Sequence, residues 1–322
     1  MAGLIQVALC TADMPRTIRT LVDVFGFSSA GGRPRWGTFP AGLQELPSGD
    51  DTSCILWWML GRQEFVQVEL FHHVVPAQRP RRPDWSPADL GWTRFGVTVA
   101  DFDAVLVGLD EAGYPTITEP IRVDGQRRVC FRESGSDVIV EIIEDDEPTR
   151  HPGVRPGPAV TYAAVSVSDL AAARGYFAGA LGFEEIAPDA LHRPEHEALW
   201  GLAGAECECA VFQAGDVVLE VSRYVTPVPK PPPADALLSD QGFMNVAMGY
   251  RDRAELLRAR EAAESLGARS TAGMPDVSGG FYLRIVDDLS VEMVLVPKEF
   301  ASSYGFEPQE LAPPGSPYMR ST

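Results

Sequence analysis

The stretch YAAVSVSDLAAARGYFAGALGF, Tyr162–Phe183, carries the pattern that decides the fold. An apolar run leads to Asp169, and the apolar residues that follow recur every three or four positions until Gly182. Aspartate is a strong helix N-cap, because its carboxylate accepts hydrogen bonds from the free amides of the first turn. Glycine commonly follows the end of a helix. The stretch therefore predicts a strand followed by an amphipathic helix.

Three further stretches repeat this pattern along the chain. They are QVALCTADMPRTIRTLVDVFGF from Gln6, RFGVTVADFDAVLVGLDEAGY from Arg94 and NVAMGYRDRAELLRAREAAESLGA from Asn245. Each of the four repeats closes with a strand that carries one glutamate: Glu69, Glu141, Glu220 and Glu292. The spacing from the first of these glutamates to the third equals the spacing from the second to the fourth. We therefore predict a duplication of a duplication, with four βαβββ units.

The predicted domain organisation assigns units one and two to a first domain and units three and four to a second. Residues 144–160 are polar and rich in Pro and Gly, which is typical of a linker. The predicted boundaries are 1–146 for domain one (units 1–71 and 92–146), 147–159 for the linker, 160–298 for domain two (units 160–224 and 242–298) and 299–322 for a C-terminal tail.

Composition excludes several classes of protein. The 322 residues carry a formal charge of −18, which disfavours nucleic acid and anionic membranes as partners. No apolar run approaches the roughly 20 residues that span a bilayer, and the first residues do not resemble a signal peptide. The five cysteines are scattered and are expected to be structural thiols. We expect a cytoplasmic monomer or homodimer.

The repeats resemble the vicinal oxygen chelate (VOC) superfamily, which includes glyoxalase I, bleomycin-resistance proteins, methylmalonyl-CoA epimerase and the extradiol dioxygenases. The strand–Asp–helix–LGF pattern of Tyr162–Phe183 and the glutamate strands carry the resemblance, which extends from Gly3 to Pro297. It implies an α+β fold in which four βαβββ modules pair into two glyoxalase-like domains with curled mixed sheets that form cups. It also implies up to four metal ligands per cup, one near the start of each unit and the glutamate of each last strand.

None of the four first-strand positions holds histidine in this sequence. They are occupied by Gln6, Arg94, Tyr162 and Asn245. An iron(II) facial triad needs two imidazoles, so classical extradiol dioxygenase activity is not expected. The guanidinium of Arg94 is permanently charged and would repel a divalent metal. We expect a metal-free first cup in which Arg94 forms a buried salt bridge with Glu69 or Glu141, or holds an anionic group of a ligand.

The second cup is expected to hold Glu220 and Glu292 without an evident counter-charge. Two close carboxylates in a partly dry cavity raise one pKa or attract a cation. Three interpretations remain open. Glu220, Glu292 and Tyr162 could be a catalytic acid–base set, a hard divalent cation could bind to Glu220, Glu292 and Asn245, or the glutamates could be relics. No other cofactor is expected.

Further side chains are candidates for the border of the cups. His192 and His196 lie in a region that borders the cavity in the resembled family, and Trp36 occupies the matching region of the first half. Trp58, Trp200, Phe281 and Tyr282 are further aromatic candidates. The complete predicted ligand-binding set is Gln6, Gln67, Glu69, Arg94, Glu141, Asn245, His192, His196 and Trp36.

Three functions are compatible with this pattern. The first is a metal-independent enzyme of lyase or isomerase type that acts on a small organic molecule, anionic or containing a carbonyl. The second is a non-catalytic binding protein that sequesters a small molecule, as bleomycin-resistance proteins do. The third is a divalent-metal enzyme with an oxygen-only site. Retention of all four glutamates favours an enzyme.

Overall fold

The computed structural model describes residues 3–38, 44–46, 50–145 and 157–309. Most of the predicted linker and the end of the predicted tail lie outside these residues. The strands are β1 (Gly3–Cys10), β2 (Ser28–Trp36), β3 (Ser53–Leu60), β4 (Gln67–Val75), β5 (Gly91–Val99), β6 (Ile121–Val123), β7 (Gln126–Glu133), β8 (Val138–Glu144), β9 (Ala159–Ser166), β10 (Glu184–Ile186), β11 (Glu206–Ala214), β12 (Val217–Thr226), β13 (Gly242–Tyr250), β14 (Arg269–Ser270), β15 (Gly279–Arg284) and β16 (Ser290–Leu295).

One α-helix follows the first strand of each unit, as the repeat predicts. The helices are α1 (Met14–Arg19), α2 (Phe102–Glu111), α3 (Leu170–Arg174) and α4 (Arg253–Ser265), and α1 and α3 continue into the π-helical turns Thr20–Val24 and Gly175–Ala180. All four predicted caps are confirmed. Asp13, Asp101, Asp169 and Asp252 each accept a hydrogen bond from the backbone N–H three residues later, at 2.9–3.0 Å.

The strands form two mixed, open sheets of eight strands each, so the α+β fold with four βαβββ units in two glyoxalase-like halves is confirmed. Sheet A has the order β14-β15-β16-β13-β1-β4-β3-β2, and sheet B has the order β10-β11-β12-β9-β5-β8-β7-β6. Sheet A therefore joins units one and four, and sheet B joins units two and three.

This pairing of units differs from the predicted domains. Strand β1 pairs antiparallel with β13, with Val7 opposite Val246, and β5 pairs antiparallel with β9. The four first strands share one alternation of apolar residues, so either pairing would bury the same faces. The helices, in contrast, pack within the predicted pairs of units. Helix α2 of unit two packs on the π-helical turn of unit one, and α4 of unit four packs on that of unit three.

The helices and one face of each sheet enclose a common apolar core. It includes Val7, Phe95, Phe177 and Val246. The opposite face of each sheet is turned away from the helices, and we call these faces cup A, on sheet A, and cup B, on sheet B. Among the described helices, none combines the length and the apolar character needed to cross a membrane.

Two Pro-rich segments, 76–90 and 227–241, cross between the sheets and bind each other. The Leu90 N–H donates to the Lys230 carbonyl at 3.0 Å, and the Gln241 N–H donates to the Arg79 carbonyl at 2.9 Å. They border a cleft of about 520 Å³. Its lining includes Leu238 and Met244, which also pack against the apolar side chains of cup A.

Candidate functional site

Cup A combines polar side chains from the first and last strands of units one and four. Gln6 lies opposite Gln67 in the β1–β4 pair, and Glu292 lies opposite Ala247 in the β13–β16 pair. Strand alternation places Glu69 on the same face as Gln67. The predicted ligand-binding residues Gln6, Gln67 and Glu69 therefore meet Asn245 and Glu292, rather than Arg94 and Glu141 as expected.

Glu69 is held by two N–H donors at the floor of cup A. The indole Nε1 of Trp58 donates to its Oε1 at 2.8 Å, and the amide of Gln6 donates to its Oε2. Gln67 in turn donates to Gln6 Oε1 at 2.8 Å. The Glu69 side chain is therefore fixed in orientation through a chain of hydrogen bonds.

Glu292 lies close enough to Glu69 for the two carboxyl groups to titrate together. Burial, reinforced by the nearby Glu292 carboxylate, raises the pKa of Glu69 well above its ordinary value. Burial also raises the pKa of Glu292 to about 7. In the described part of the chain, neither group forms a salt bridge. The pair therefore retains a proton near neutral pH, which supplies an acid and a base side by side.

Replacing Glu292 by Gln should make the stability of the protein less dependent on pH. The unfolded chain loses the Glu292 proton near 4.5, whereas the folded chain keeps it up to about 7, so the free energy of unfolding falls as pH rises through this window. The shift, discounted for partial exposure of Glu292, corresponds to about 2 kcal/mol. Urea denaturation at several pH values between 4.5 and 8 measures the effect. The exposed control Glu299→Gln should retain the wild-type slope, and equal slopes in both variants would contradict the assignment.

Apolar and unpaired polar groups surround the two carboxyl groups. Trp58, Met244 and Tyr282 pack in one cluster on this face. The buried Asn245 amide makes no hydrogen bond of normal geometry within the described residues. Buried polar groups of native proteins are nearly always paired, so an unpaired amide beside two carboxyl groups is typical of a ligand site.

Cup B is filled by its own side chains. It contains the predicted residues Arg94, Glu141, Tyr162, His192, His196 and Glu220. Arg94 and Glu220 form a buried salt bridge, exposed by 1% and 0%. Glu141 accepts hydrogen bonds from Arg128 Nε, from Tyr162 Oη at 2.5 Å and from the Trp200 indole at 2.9 Å. The charged groups of cup B are thus neutralised within the fold.

These contacts correct two expectations about the charged residues. Arg94 pairs with Glu220 of unit three, because sheet B joins units two and three, and not with Glu69 or Glu141. Burial opposes ionisation of Glu220, but Arg94 and the neighbouring His192 hold the pKa of Glu220 below its ordinary value. Glu220 therefore has a counter-charge, contrary to the prediction.

The predicted catalytic set is divided between the two faces of the molecule. Glu292 lies in cup A, whereas Glu220 and Tyr162 lie in cup B. The predicted cation site of Glu220, Glu292 and Asn245 is divided in the same way. The reason is again the pairing of units, which places Glu220 and Glu292 in different sheets.

The predicted histidines lie in cup B and Trp36 lies on the surface. His192 Nδ1 is 2.9 Å from Glu220 Oε1, and His196 Nδ1 is 3.0 Å from the Leu191 carbonyl. Both rings lie edge-on to Trp200. Trp36 is 71% exposed at the end of β2, so a role in lining a cup is not supported by its position.

Several residues of the two cups escaped sequence reasoning. Arg128 and Glu197 carry buried charges in cup B, although neither stands at a repeated position of the units. Trp58 and Tyr282 lie in cup A as aromatic candidates, whereas Phe281 belongs to the core between the sheets. The register of β3 with β4 places Trp58 directly opposite Glu69.

Comparison with known proteins agrees with this architecture. Residues 5–131 match the family model described as Glyoxalase/Bleomycin resistance protein/Dioxygenase superfamily. Glyoxalase I from Zea mays is similar in structure at 15% identity, with 92% of each chain covered and a TM-score of 0.60. A provisionally assigned dioxygenase from Bacillus subtilis subsp. subtilis str. 168 is similar at 14% identity, with 95% of this chain and 90% of that chain covered and a TM-score of 0.62.

No sequence among the curated proteins matches that of this chain. The solved structures share the fold. The matched family model covers Gln6 and Arg94 on the first strands of units one and two, and Glu69 on the last strand of unit one. Over residues 5–131 the chain is therefore similar to the glyoxalase/bleomycin resistance protein/dioxygenase superfamily, and its four-unit fold is shared with glyoxalase I.

Proposed function

We propose that the chain is an enzyme that moves a proton on a carbon atom next to a carbonyl group of a small organic molecule bound in cup A. The observation that carries this proposal is the coupled pair Glu69 and Glu292, because burial raises both pKa values and that of Glu292 is about 7. A carboxyl group with a pKa near the working pH is suited to general acid–base catalysis.

The two glutamates have different surroundings, which support different roles. Glu69 is 6% exposed and oriented by Trp58 and Gln6. Glu292 is partly exposed and forms no hydrogen bond within the described residues, so its carboxyl group can reach a ligand. We assign proton transfer to Glu292, while Glu69, whose pKa burial and the Glu292 carboxylate raise, shares the proton.

The remaining residues of cup A supply binding. The Asn245 amide, which lies near the Tyr282 hydroxyl and makes no hydrogen bond of normal geometry within the described residues, offers an N–H donor to a substrate carbonyl, and this bond would strengthen as negative charge develops on the oxygen. Trp58 and Tyr282 offer apolar walls that exclude water. Reactions of this type belong to lyases and isomerases.

The donor set of cup A does not fit a divalent metal as it is arranged. Both Glu69 oxygens accept N–H bonds, and Gln6 turns its N–H group, not its carbonyl oxygen, toward Glu69. A metal ligand must present a lone pair to the ion. We therefore assign no step of the reaction to a metal.

Exchange of substrate protons with solvent tests the proposal. The full-length protein is incubated in D₂O with a panel of small aldehydes, ketones and 2-oxo acids, and proton NMR records the loss of the C–H signal next to the carbonyl. We expect catalysed exchange of at least one compound, with the same rate before and after treatment with a chelator.

Three outcomes would contradict the proposal in different ways. Exchange that stops with the chelator and returns with Mg²⁺ would indicate a metal enzyme. Thermal stabilisation by a compound that does not exchange would favour the sequestering function. Exchange that persists in a Glu292→Gln variant would remove Glu292 from the reaction.

A further inference from the structure

Cup B contains a cluster of metal-ligating side chains that the proposed chemistry of cup A does not use. The cluster consists of His192, Glu197 and Cys207. His192 Nε2 lies 2.9 Å from Glu197 Oε1, and Cys207 Sγ lies 3.4 Å from each of these two atoms. The structure thus brings an imidazole, a carboxylate and a thiol to one point.

We propose that His192, Glu197 and Cys207 bind a divalent cation of the zinc class. Zinc is bound at about 2.0–2.1 Å by nitrogen and oxygen and at about 2.3 Å by sulfur, so tetrahedral ligand atoms lie about 3.3–3.6 Å apart. The observed separations of 2.9–3.4 Å are close to these values. One nitrogen, one oxygen and one sulfur ligand favour Zn²⁺ or Co²⁺ over Mg²⁺.

Residues outside the cluster already hold the ligands in place. Glu220 Oε1 lies 2.9 Å from Nδ1 of His192, and Tyr224 Oη donates to Glu197 Oε2 at 3.1 Å. A carboxylate behind a histidine ligand fixes the ring and leaves the other nitrogen, here Nε2, to the metal. The β11–β12 register explains part of this arrangement of ligands, because Cys207 lies directly opposite Tyr224, which binds Glu197.

The charges of cup B are compatible with a bound cation. Three buried carboxylates, Glu141, Glu197 and Glu220, face two arginines, Arg94 and Arg128, and the His192 ring, which lies between Glu197 and Glu220. A divalent cation with a neutral His192 ring and a Cys207 thiolate adds one net positive charge, the same as an imidazolium at His192. The buried cluster therefore stays neutral when the cation is bound.

A second triad, formed by His192, Cys209 and Glu220, is less suitable. Glu220 Oε1 already accepts hydrogen bonds from Arg94 and from Ser222. The permanent charge of Arg94 would repel a cation bound to the same oxygen. Cys207 is also partly exposed at the edge of the cluster, which leaves an entry path and a fourth position for water or a ligand.

Titration with Co²⁺ tests the site in the full-length protein. Protein purified without a histidine tag is treated with a chelator and titrated with Co²⁺, and we expect one equivalent with a near-ultraviolet cobalt–thiolate charge-transfer band. Zn²⁺ should displace this band and Mg²⁺ should not. Cobalt bound by the oxygen atoms of cup A would give no such band, so failure here is distinct from failure of the proposed function.

Matched cysteine variants decide between the two triads. Cys207→Ser should abolish the charge-transfer band, and Cys209→Ser, two residues along the same strand, should retain it. Glu197→Gln should weaken Co²⁺ binding at least about tenfold. Circular dichroism checks that each variant is folded. Absence of the band in the wild type, or its survival in Cys207→Ser, would overturn the proposal.

Alkylation of the wild-type protein gives a measurement that needs no variant. Zn²⁺ should protect Cys207 from a thiol reagent, as read by mass spectrometry of its peptide. An unchanged rate of Cys207 alkylation at saturating Zn²⁺ would overturn the site independently of any folding defect.

Discussion

Replacing Arg94 by Met should lower the free energy of unfolding by about 3–5 kcal/mol, because it removes the guanidinium that pairs with the fully buried Glu220 carboxylate. Arg94 is 1% exposed and Glu220 is fully buried, so water cannot replace the lost guanidinium. Arg94 also lies over the Trp200 ring, 3.4 Å from its centre, and this contact is lost as well. Denaturation with guanidinium chloride measures the change.

A double variant and a surface pair serve as controls. Arg94→Met combined with Glu220→Met should recover most of the loss, since two apolar side chains of similar volume replace the whole pair. Arg174→Met, which removes an exposed pair with Glu185, should cost less than about 1 kcal/mol. A loss below about 1 kcal/mol in Arg94→Met would show that another group neutralises the charge of Glu220.

Replacing Glu292 by Gln should lower kcat by about 10²–10⁴-fold on the compound identified by proton exchange, because the amide cannot transfer the proton. Glu69→Gln should give a smaller loss and leave the pH dependence of kcat centred near the Glu292 pKa of about 7, since burial is what raises the pKa of Glu292. Steady-state kinetics between pH 5 and pH 9 measure both effects.

Tyr162→Phe is the matched control for these activity measurements. Its hydroxyl group donates to Glu141 in cup B, on the other sheet, so turnover in cup A should stay within about twofold of the wild type. A large loss of kcat in Tyr162→Phe, together with unchanged kinetics of Glu292→Gln, would move the reaction to cup B and reject the assignment of cup A.

Local features of this chain could be predicted from the sequence because short-range chemistry determines them. A capping aspartate and a three-to-four-residue spacing specify a helix wherever the chain lies, and all four caps are confirmed. Alternation along β4 likewise specifies that Gln67 and Glu69 share a face. The family resemblance then predicted that the four glutamates lie in two cups.

The partner of each glutamate could not be predicted, because it depends on contacts between distant units. The apolar pattern of β1 suits β5 and β13 equally, so the sequence left open whether Glu69 would meet Arg94 or Glu292. His192 and Glu197 lie outside the repeated strands, around the short 3₁₀ helix Pro194–Trp200, where no periodic pattern marks them.

The order in which the sheets can be completed follows from the pairing of the units. Sheet B joins units two and three, which are consecutive in the chain. It can therefore form while the last unit is still being synthesised. Strand β1 must wait for β13, more than 230 residues later, before sheet A can close. Contacts of such long sequence separation fold slowly. The Glu69–Glu292 pair is therefore assembled last, and a product of translation that ends before residue 292 carries Glu69 without Glu292.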